Sequence, residues 1–291
     1  MKKKWIPEPD EFFIGYLPEA PEKTSAFLRW MLVGVGAAIA VVSLVLVNSQ
    51  REFSSAAFDY GIYTSVEGHI YNYPVPHLKI SRGLDSAGHT NYQTVLLAGF
   101  GKAGANRTLE QFESQLGALE GKFVRISGEA IHGYGKTLLQ VSEDRVPELL
   151  SQQTNYKNPN RLSEIEGTFH ITGEIVDPKC FFGVMKPGEG KPHRSCAIRC
   201  IAGGIPPVFH ATGNDDYFVL LDENFQPVNQ RVLDMVGDNI ELTGKVIQWD
   251  DWKILLINNE QLKAHAITSK LMRNLAVMEE GITQCTINER L

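Results

Sequence analysis

Two stretches, GKFVRISGEAI (Gly121–Ile131) and GDNIELTGKVI (Gly237–Ile247), follow one pattern and decide the fold. Apolar and polar residues alternate in both, which is the period of a β-strand with one buried face. The matched positions are Val124 with Ile240, Ile126 with Leu242, Ser127 with Thr243, and Gly128 with Gly244. The pattern therefore predicts that the second half of the chain repeats a unit of the first.

Further segments surround each stretch in the same order. Before the two stretches lie SVEGHI and ITGEI (Ser65–Ile70 and Ile171–Ile175) and then YQTVLL and DYFVLL (Tyr92–Leu97 and Asp216–Leu221). Helical segments follow at Leu109–Leu119 and Asn229–Met235, and KTLL and KILL come after the two stretches (from Lys136 and Lys253). Each copy thus reads strand, strand, helix, strand, turn, strand. Short alternating strands with glycine at the turns predict small β barrels.

The sequence therefore predicts a mainly β chain with two tandem barrels, at residues 58–146 and 162–265. The order of elements resembles the OB fold, a five-stranded Greek-key barrel with a helix between its third and fourth strands. That resemblance implies a binding scaffold, and it does not select a ligand. A polar linker at 152–161 and a C-terminal helix or tail at 266–291 complete the predicted organisation.

An apolar segment near the N terminus predicts a transmembrane helix. Trp30–Val47 reads WMLVGVGAAIAVVSLVLV and carries no charge. As a helix it spans roughly 27 Å, close to the thickness of a hydrocarbon core. A cleaved signal peptide and a buried soluble helix are the alternatives.

The basic residues around this segment predict its direction. Lys2, Lys3, Lys4, Lys23 and Arg29 precede it, whereas Arg51 alone follows shortly after it. The positive-inside rule then keeps the N terminus in the cytoplasm. We therefore expect an inner-membrane (cell-membrane) protein whose soluble domains are periplasmic or otherwise extracytoplasmic. The cytoplasmic tail, residues 1–29, is rich in proline and aromatic residues, and either docks on a membrane partner or lies beside the bilayer.

Charge and composition exclude some functions. A hydrophobic share of 43% and a charged share of 21% are those of a folded protein, which argues against global disorder. The net charge is −6, and the acidic excess lies after the apolar segment. An acidic surface repels phosphate, so we expect no nucleic-acid partner.

The second copy contains an insertion that the first lacks, at residues 177–210. The interval Gly173–Phe218 is much longer than the matching interval Gly68–Thr94, and it holds three of the four cysteines. Added loops on a rigid scaffold commonly carry function. The insertion is therefore the candidate site.

The spacing within the insertion predicts a helix with one ligand-bearing face. Pro192 suits a first helical turn, and Gly203-Gly204 suits the end. On such a helix His193, Cys196 and Cys200 point the same way, within roughly 60° of one another. Cys180, joined by Asp177 or Met185, could close over that face.

This donor set, Cys180, His193, Cys196 and Cys200, suits zinc, copper or an iron–sulfur cluster. The pair Cys196-x3-Cys200 is similar to the paired cysteines of extracytoplasmic copper proteins, such as the dinuclear copper domain of oxidases. That two-residue resemblance implies copper. Exported cysteines also form disulfides, and pairings that include Cys285 stay open. Redox-active thiols are a third interpretation.

The sequence contains no catalytic triad, paired catalytic carboxylates or dinucleotide motif. We therefore expect a non-enzymatic accessory or binding subunit that supports electron transfer or the assembly of a membrane redox complex, with protein partners there. The alternatives are a disulfide-bonded interaction module and a thiol redox enzyme.

Two matching hairpins, Trp249–Trp252 and His132–Gly135, are expected to be turns with exposed aromatic residues.

Overall fold

The computed structural model describes residues 20–49, 56–84, 90–151, 162–214, 216–258, 260 and 262. They belong to two compact units, Met1–Phe53 and Ser54–Leu291. The predicted linker at 152–161, the predicted helix or tail at 266–291, Cys285 and residues 1–19 of the N-terminal tail lie outside the described residues.

The first unit contains helix α1, Glu22–Ser49, whose 28 residues correspond to about 42 Å. It begins eight residues before the predicted apolar segment, after Pro21, whose carbonyl oxygen accepts a hydrogen bond from the Ser25 amide at 2.8 Å. None of its residues is buried. Among the described residues, α1 is the one helix long and apolar enough to cross a membrane.

The second unit begins with a closed five-stranded barrel. Its elements are β1 (Ala57–Tyr71), β2 (His77–Leu84), β3 (Thr90–Ala98), α2 (Asn106–Leu116), β4 (Phe123–Gly133) and β5 (Lys136–Val141), and a short β6 (Glu148–Leu149) extends the sheet beside β4. The strand order is β1-β2-β3-β5-β4, closed by pairing of β4 with β1. β3 and β5 are parallel, and the other neighbours are antiparallel.

A second closed barrel follows. Its elements are β7 (Leu162–Val176), a helical turn (Cys180–Val184), α3 (Gly190–Ala202), β8 (Val208–Ala211), β9 (Tyr217–Asp222), α4 (Asn229–Val232) with a 3-10 turn (Leu233–Met235), β10 (Asn239–Trp249) and β11 (Trp252–Ile257). The order β7-β8-β9-β11-β10 matches that of the first barrel, and β9 and β11 form its parallel pair. The expected mainly β chain with two five-stranded barrels is confirmed.

The matched glycines have the same physical role in the two barrels. A Cβ atom on Gly128 would lie 2.4 Å from the carbonyl oxygen of Gln140, and one on Gly244 would lie 2.2 Å from that of Leu256. Each glycine therefore lets the neighbouring strand approach more closely than any side chain permits.

The two barrels share a buried core. It joins Val75, Leu96, Ile131 and Leu138 of the first barrel to residues of the second that include Val176, Phe181, Phe182, Trp249 and Trp252. Polar contacts cross the same interface: the buried Lys79 ammonium lies 2.5 Å from the Asp250 carboxylate, and the Thr94 amide donates to Asp251 at 2.7 Å. The barrels are thus packed as one body.

The expectation that the two hairpins expose their aromatic residues is wrong for the Trp249–Trp252 hairpin, because both tryptophans are 0% exposed. The Trp252 indole donates a hydrogen bond to the carbonyl oxygen of Thr94 at 3.0 Å, across the interface. In the matching hairpin, Tyr134 is exposed, at 37%, as expected, and its ring also stacks on Phe181 with ring centroids 5.4 Å apart. Each hairpin faces the other barrel, which the pattern of one barrel alone does not reveal.

Candidate metal centre

The insertion in the second barrel forms the predicted helix, α3, whose ends are fixed by specific contacts. Its first amide, that of Gly190, donates to the Glu174 carboxylate at 2.6 Å, which satisfies a donor that the helix leaves unpaired. At the other end the Gly203 and Gly204 amides bond to the carbonyl oxygens of Arg199 and Ile201. Gly204 has a φ of 102°, a conformation that glycine adopts without strain.

Three sulfur atoms meet beside α3. Cys196 and Cys200 lie one turn apart on the helix, and Cys180 begins the preceding helical turn. All three Sγ atoms lie within 4.8 Å of one another, and the Cys180–Cys196 distance is 3.9 Å. Cys180 and Cys200 are buried, whereas Cys196 is partly exposed. All three are free thiols, so the insertion brings together the cysteines that the sequence singles out.

His193 lies next to these sulfurs in a second group, formed with Cys180 and Asp177, whose ligand atoms are also within 4.8 Å of one another. His193 and Asp177 are buried, and His193 Nε2 lies 3.9 Å from Asp177 Oδ2. Within the part of the chain that the structure describes, neither of these two atoms has a hydrogen-bond partner. A buried imidazole nitrogen and carboxylate oxygen left unpaired are costly, and a bound cation would satisfy both.

A lysine from the first barrel completes the site. Lys102 Nζ lies 2.8 Å from Cys196 Sγ and 3.8 Å from Cys200 Sγ. The hydrogen bond to Cys196 is the main reason why the pKa of Lys102 is raised above its ordinary value. Sequence reasoning missed Lys102, because it lies in the loop between β3 and α2, far from the insertion along the chain.

The loop that carries Lys102 is in tight contact with the end of α3. The Gly104 amide donates to the Gly203 carbonyl oxygen at 2.8 Å. A Cβ atom on Gly203 would lie 2.0 Å from the carbonyl oxygen of Lys102, and one on Gly104 would lie 2.3 Å from that of Gly204. Only glycine fits at either position, so the sequence permits the close approach of the two backbones.

A second lysine, Lys179, connects the loop between β3 and α2 to the insertion. It is buried, and its ammonium donates to the carbonyl oxygens of Gly99 at 2.9 Å and Gly101 at 2.7 Å. Burial is the largest influence on its pKa, which is lowered, while the nearby Asp177 carboxylate opposes that shift. Lys179 therefore acts as a structural cation between the barrels.

The surroundings of Cys180 favour the neutral form of its thiol. Its pKa is raised, first by the hydrogen bond with Cys200, then by burial and by the negative charge of Asp177. A cation placed among these groups would reverse each of the electrostatic causes, because it attracts thiolate and carboxylate alike.

The chain matches no protein-family model, no curated protein and no solved structure. The chemistry of the site therefore follows from its own donor atoms. Thiolates and an imidazole are soft to borderline ligands, and they select zinc, copper and iron among the common metals. Geometrically the group Cys180, Cys196 and Cys200, with Asp177 and His193 beside it, could hold a metal ion.

Met185, a candidate from the sequence, and His210, the last residue of the insertion, belong to neither group. Met185 follows the helical turn and is 44% exposed. His210 pairs with Glu189, with 3.3 Å between Nδ1 and Oε2, and stacks on Tyr217 with ring centroids 5.1 Å apart. The contacts of His210 are those of an ion pair and an aromatic packing group.

Proposed function

We propose that this chain is a membrane-anchored metal-binding protein whose ion is held by Cys180, Cys196 and Cys200, with His193 and Asp177 beside them. The single observation that carries the proposal is the convergence of three sulfurs within 4.8 Å at a buried His–Asp pair. The His193 Nε2 and Asp177 Oδ2 atoms support it, because neither has a hydrogen-bond partner among the described residues and buried polar atoms normally have one.

The sulfur spacing favours one ion over an iron–sulfur cluster. Ligands bound tetrahedrally at 2.3 Å are about 3.8 Å apart, and Cys180 and Cys196 are separated by 3.9 Å. In a [4Fe–4S] cluster each cysteine binds a different iron, and in a [2Fe–2S] cluster no more than two cysteines share an iron, so three cluster ligands stand further apart than the three sulfurs here, which all lie within 4.8 Å of one another. Zinc and copper both suit the three cysteines. The ring nitrogen of His193 lies within 4.8 Å of the Cys180 sulfur and of Asp177 but is not grouped with Cys196 and Cys200, so its role as a fourth donor is part of the proposal.

Charge also favours this interpretation. Three thiolates around a divalent ion leave one negative charge, and the Lys102 ammonium at 2.8 Å from Cys196 Sγ balances it. Because the Lys102 ammonium already lies beside the sulfurs, the negatively charged metal–thiolate group needs no counterion from solvent. This suits a site where two of the three sulfurs are buried.

The proposed setting is that of an accessory subunit. We propose that helix α1 anchors the chain in a membrane and that the two barrels lie outside the cytoplasm; the length and apolar composition of α1 and the excess of basic residues before it support this. The barrels are proposed to be two copies of one OB-like fold, since strand order and helix position agree between them. From the chemistry of the site we also propose that the chain binds protein partners in a membrane redox complex. It would support either electron transfer in that complex or its metal-dependent assembly.

The test is elemental analysis combined with a thiol count on the full chain, purified in mild detergent. We expect about one equivalent of zinc or copper, and cysteines that react with a thiol reagent only after chelation or denaturation. Cys200→Ser should lose the metal, whereas the matched variant Cys285→Ser, which changes the one cysteine that is not among the proposed ligands, should keep it.

The result that contradicts the proposal is a chain without stoichiometric metal whose cysteines are oxidised in pairs. That outcome would identify a disulfide-bonded interaction module. A thiol enzyme would be identified instead if Cys180→Ala, Cys196→Ala and Cys200→Ala each abolished an activity while the fold persisted, because removing a structural metal site loosens the fold.

A further inference from the structure

The contact between Lys102 and Cys196 is unusually close for a nitrogen and a sulfur atom. Their separation is 2.8 Å. Hydrogen bonds from N–H to oxygen span about 2.7–3.2 Å, and sulfur is a larger atom, so an N–H···S contact is normally longer. The same nitrogen lies 3.8 Å from Cys200 Sγ, which is an ordinary distance for such a contact. The short distance is therefore specific to Cys196.

The surrounding backbone fixes this contact. Gly203 and Gly104 permit the loop and the helix end to touch, and the Gly104 amide is bonded to the Gly203 carbonyl oxygen at 2.8 Å. Lys179 holds the same loop through Gly99 and Gly101. Lys102 is thus attached to a loop that is tied to the insertion at both ends, and little side-chain freedom is needed to reach Cys196.

We propose that Lys102 and Cys196 are a modification site, at which dioxygen joins the lysine nitrogen to the cysteine sulfur through one oxygen atom when no metal occupies the cysteines. The Cys196 sulfur enters as the thiolate and the Lys102 nitrogen as the ammonium. One S–O bond, one O–N bond and the two O–H bonds of a water molecule form, while the O=O bond of dioxygen and two N–H bonds of the ammonium break. The sulfur and the nitrogen each give up two electrons, and dioxygen accepts all four. One oxygen atom stays in the bridge, and the other leaves as water with the two protons.

Exposure selects Cys196 among the three cysteines. It is the only one of them that is partly exposed, whereas Cys180 and Cys200 are buried, so an oxidant in solution reaches it first. A Cys180–Cys196 disulfide is the competing product, but its sulfurs must close from 3.9 Å to about 2.05 Å. The nitrogen is already in contact with the sulfur.

The bridge would have two consequences. It would link β3–α2 of the first barrel covalently to α3 of the second, and it would remove Cys196 from the metal-binding set. The site would then take up metal only under reducing conditions. This inference goes beyond the proposed function, since the bridge depends on the lysine contact and not on the identity of a metal.

The experiment uses the full chain in detergent, stripped with a chelator and reduced without air, then exposed to air-saturated buffer. Intact mass should rise by about 14 Da, the gain of one oxygen and loss of two hydrogens, and a dithiol reductant should reverse the change. Digestion should yield a linked pair of peptides that contain Lys102 and Cys196. The matched variant Lys102→Arg keeps the positive charge and should show no such product.

A loss of about 2 Da with a Cys180–Cys196 link would overturn the proposal in favour of a disulfide, and gains of about 16, 32 or 48 Da on Cys196 alone would overturn it in favour of simple oxidation. Metal content is measured separately on the reduced chain. A chain that binds no metal but forms the bridge would therefore contradict only the proposed function, and a metal-binding chain without the bridge would contradict only this inference.

Discussion

The Trp249–Trp252 hairpin offers a matched pair of substitutions that measures one hydrogen bond between the barrels. Both indoles are 0% exposed, and both belong to the core that the barrels share. The Trp252 nitrogen donates to the Thr94 carbonyl oxygen at 3.0 Å. Across the described part of the chain, the Trp249 nitrogen has no hydrogen-bond partner. We consider the two changes Trp252→Phe and Trp249→Phe.

Both changes remove the same atoms from a fully buried position, so their costs in lost packing should be similar. Trp252→Phe also removes a hydrogen bond, which contributes about 1 kcal/mol, and up to about 3 kcal/mol if the Thr94 carbonyl is left unpaired. Trp249→Phe removes a buried N–H group that has no partner, which offsets part of its packing loss. We therefore expect Trp252→Phe to destabilise the protein more than Trp249→Phe, by about 1–3 kcal/mol.

The assay is denaturant unfolding of the full chain in mild detergent, followed by the β-sheet circular dichroism signal. Unfolding midpoints are comparable only if the slopes with denaturant agree between the variants, and this agreement is part of the measurement. Equal free energies of unfolding, or a larger loss for Trp249→Phe, would show that the Trp252–Thr94 contact does not hold the barrels together.

Three further predictions concern burial, charge and topology. Burial lowers the pKa of His77 from 6.5 to about 3. Between pH 7 and pH 5 the unfolded chain therefore binds a proton that the folded chain does not, and the free energy of unfolding should fall by about 2 kcal/mol. His77→Asn should flatten this part of the plot of unfolding free energy against pH, and parallel plots for the two proteins would contradict the role of His77. Lys79→Met should cost about 3–5 kcal/mol in unfolding free energy, because it removes the cation beside the buried Asp250 carboxylate and leaves it only the Thr94 hydroxyl. The double variant Lys79→Met/Asp250→Asn should recover part of this loss, and no recovery would argue against the ion pair. Alkaline phosphatase fused after Leu291 should be active in a bacterial host if α1 directs the barrels outward, and an inactive fusion would reverse the proposed orientation.

The sequence predicts those parts of the fold that depend on local periodicity. Alternation around Gly128 and Gly244 indicates strands, since a strand with one buried face must alternate whatever it packs against. The spacing of Cys196 and Cys200 indicates one face of a helix, because the period of 3.6 residues sets it. These inferences need no knowledge of how the barrels meet.

The features that the sequence did not predict all depend on the interface between the two barrels. Lys102 reaches the sulfurs only because the loop after β3 rests on the end of α3. The sequence predicts Trp249 and Trp252 as exposed turn residues, because the hairpin of a single isolated barrel would be exposed to solvent. Gly203 is explicable as a helix terminator, yet its closest steric constraint comes from the Lys102 carbonyl oxygen. No periodic signal encodes a contact between two separately folded surfaces.

The helical turn Cys180–Val184 links the candidate metal centre to the packing of the barrels. Cys180 faces the sulfurs, while the next two residues, Phe181 and Phe182, enter the shared core, where the Phe182 ring lies 5.7 Å from that of Trp252. A Cβ on Gly183 would lie 2.4 Å from the Ala57 carbonyl oxygen, so the turn is pressed against the first barrel. The position of the Cys180 sulfur therefore depends on barrel docking. If docking of the barrels strengthens the binding of an ion to this sulfur, then binding of the ion must stabilise the docked state by the same free energy, because the coupling between the two equilibria is reciprocal.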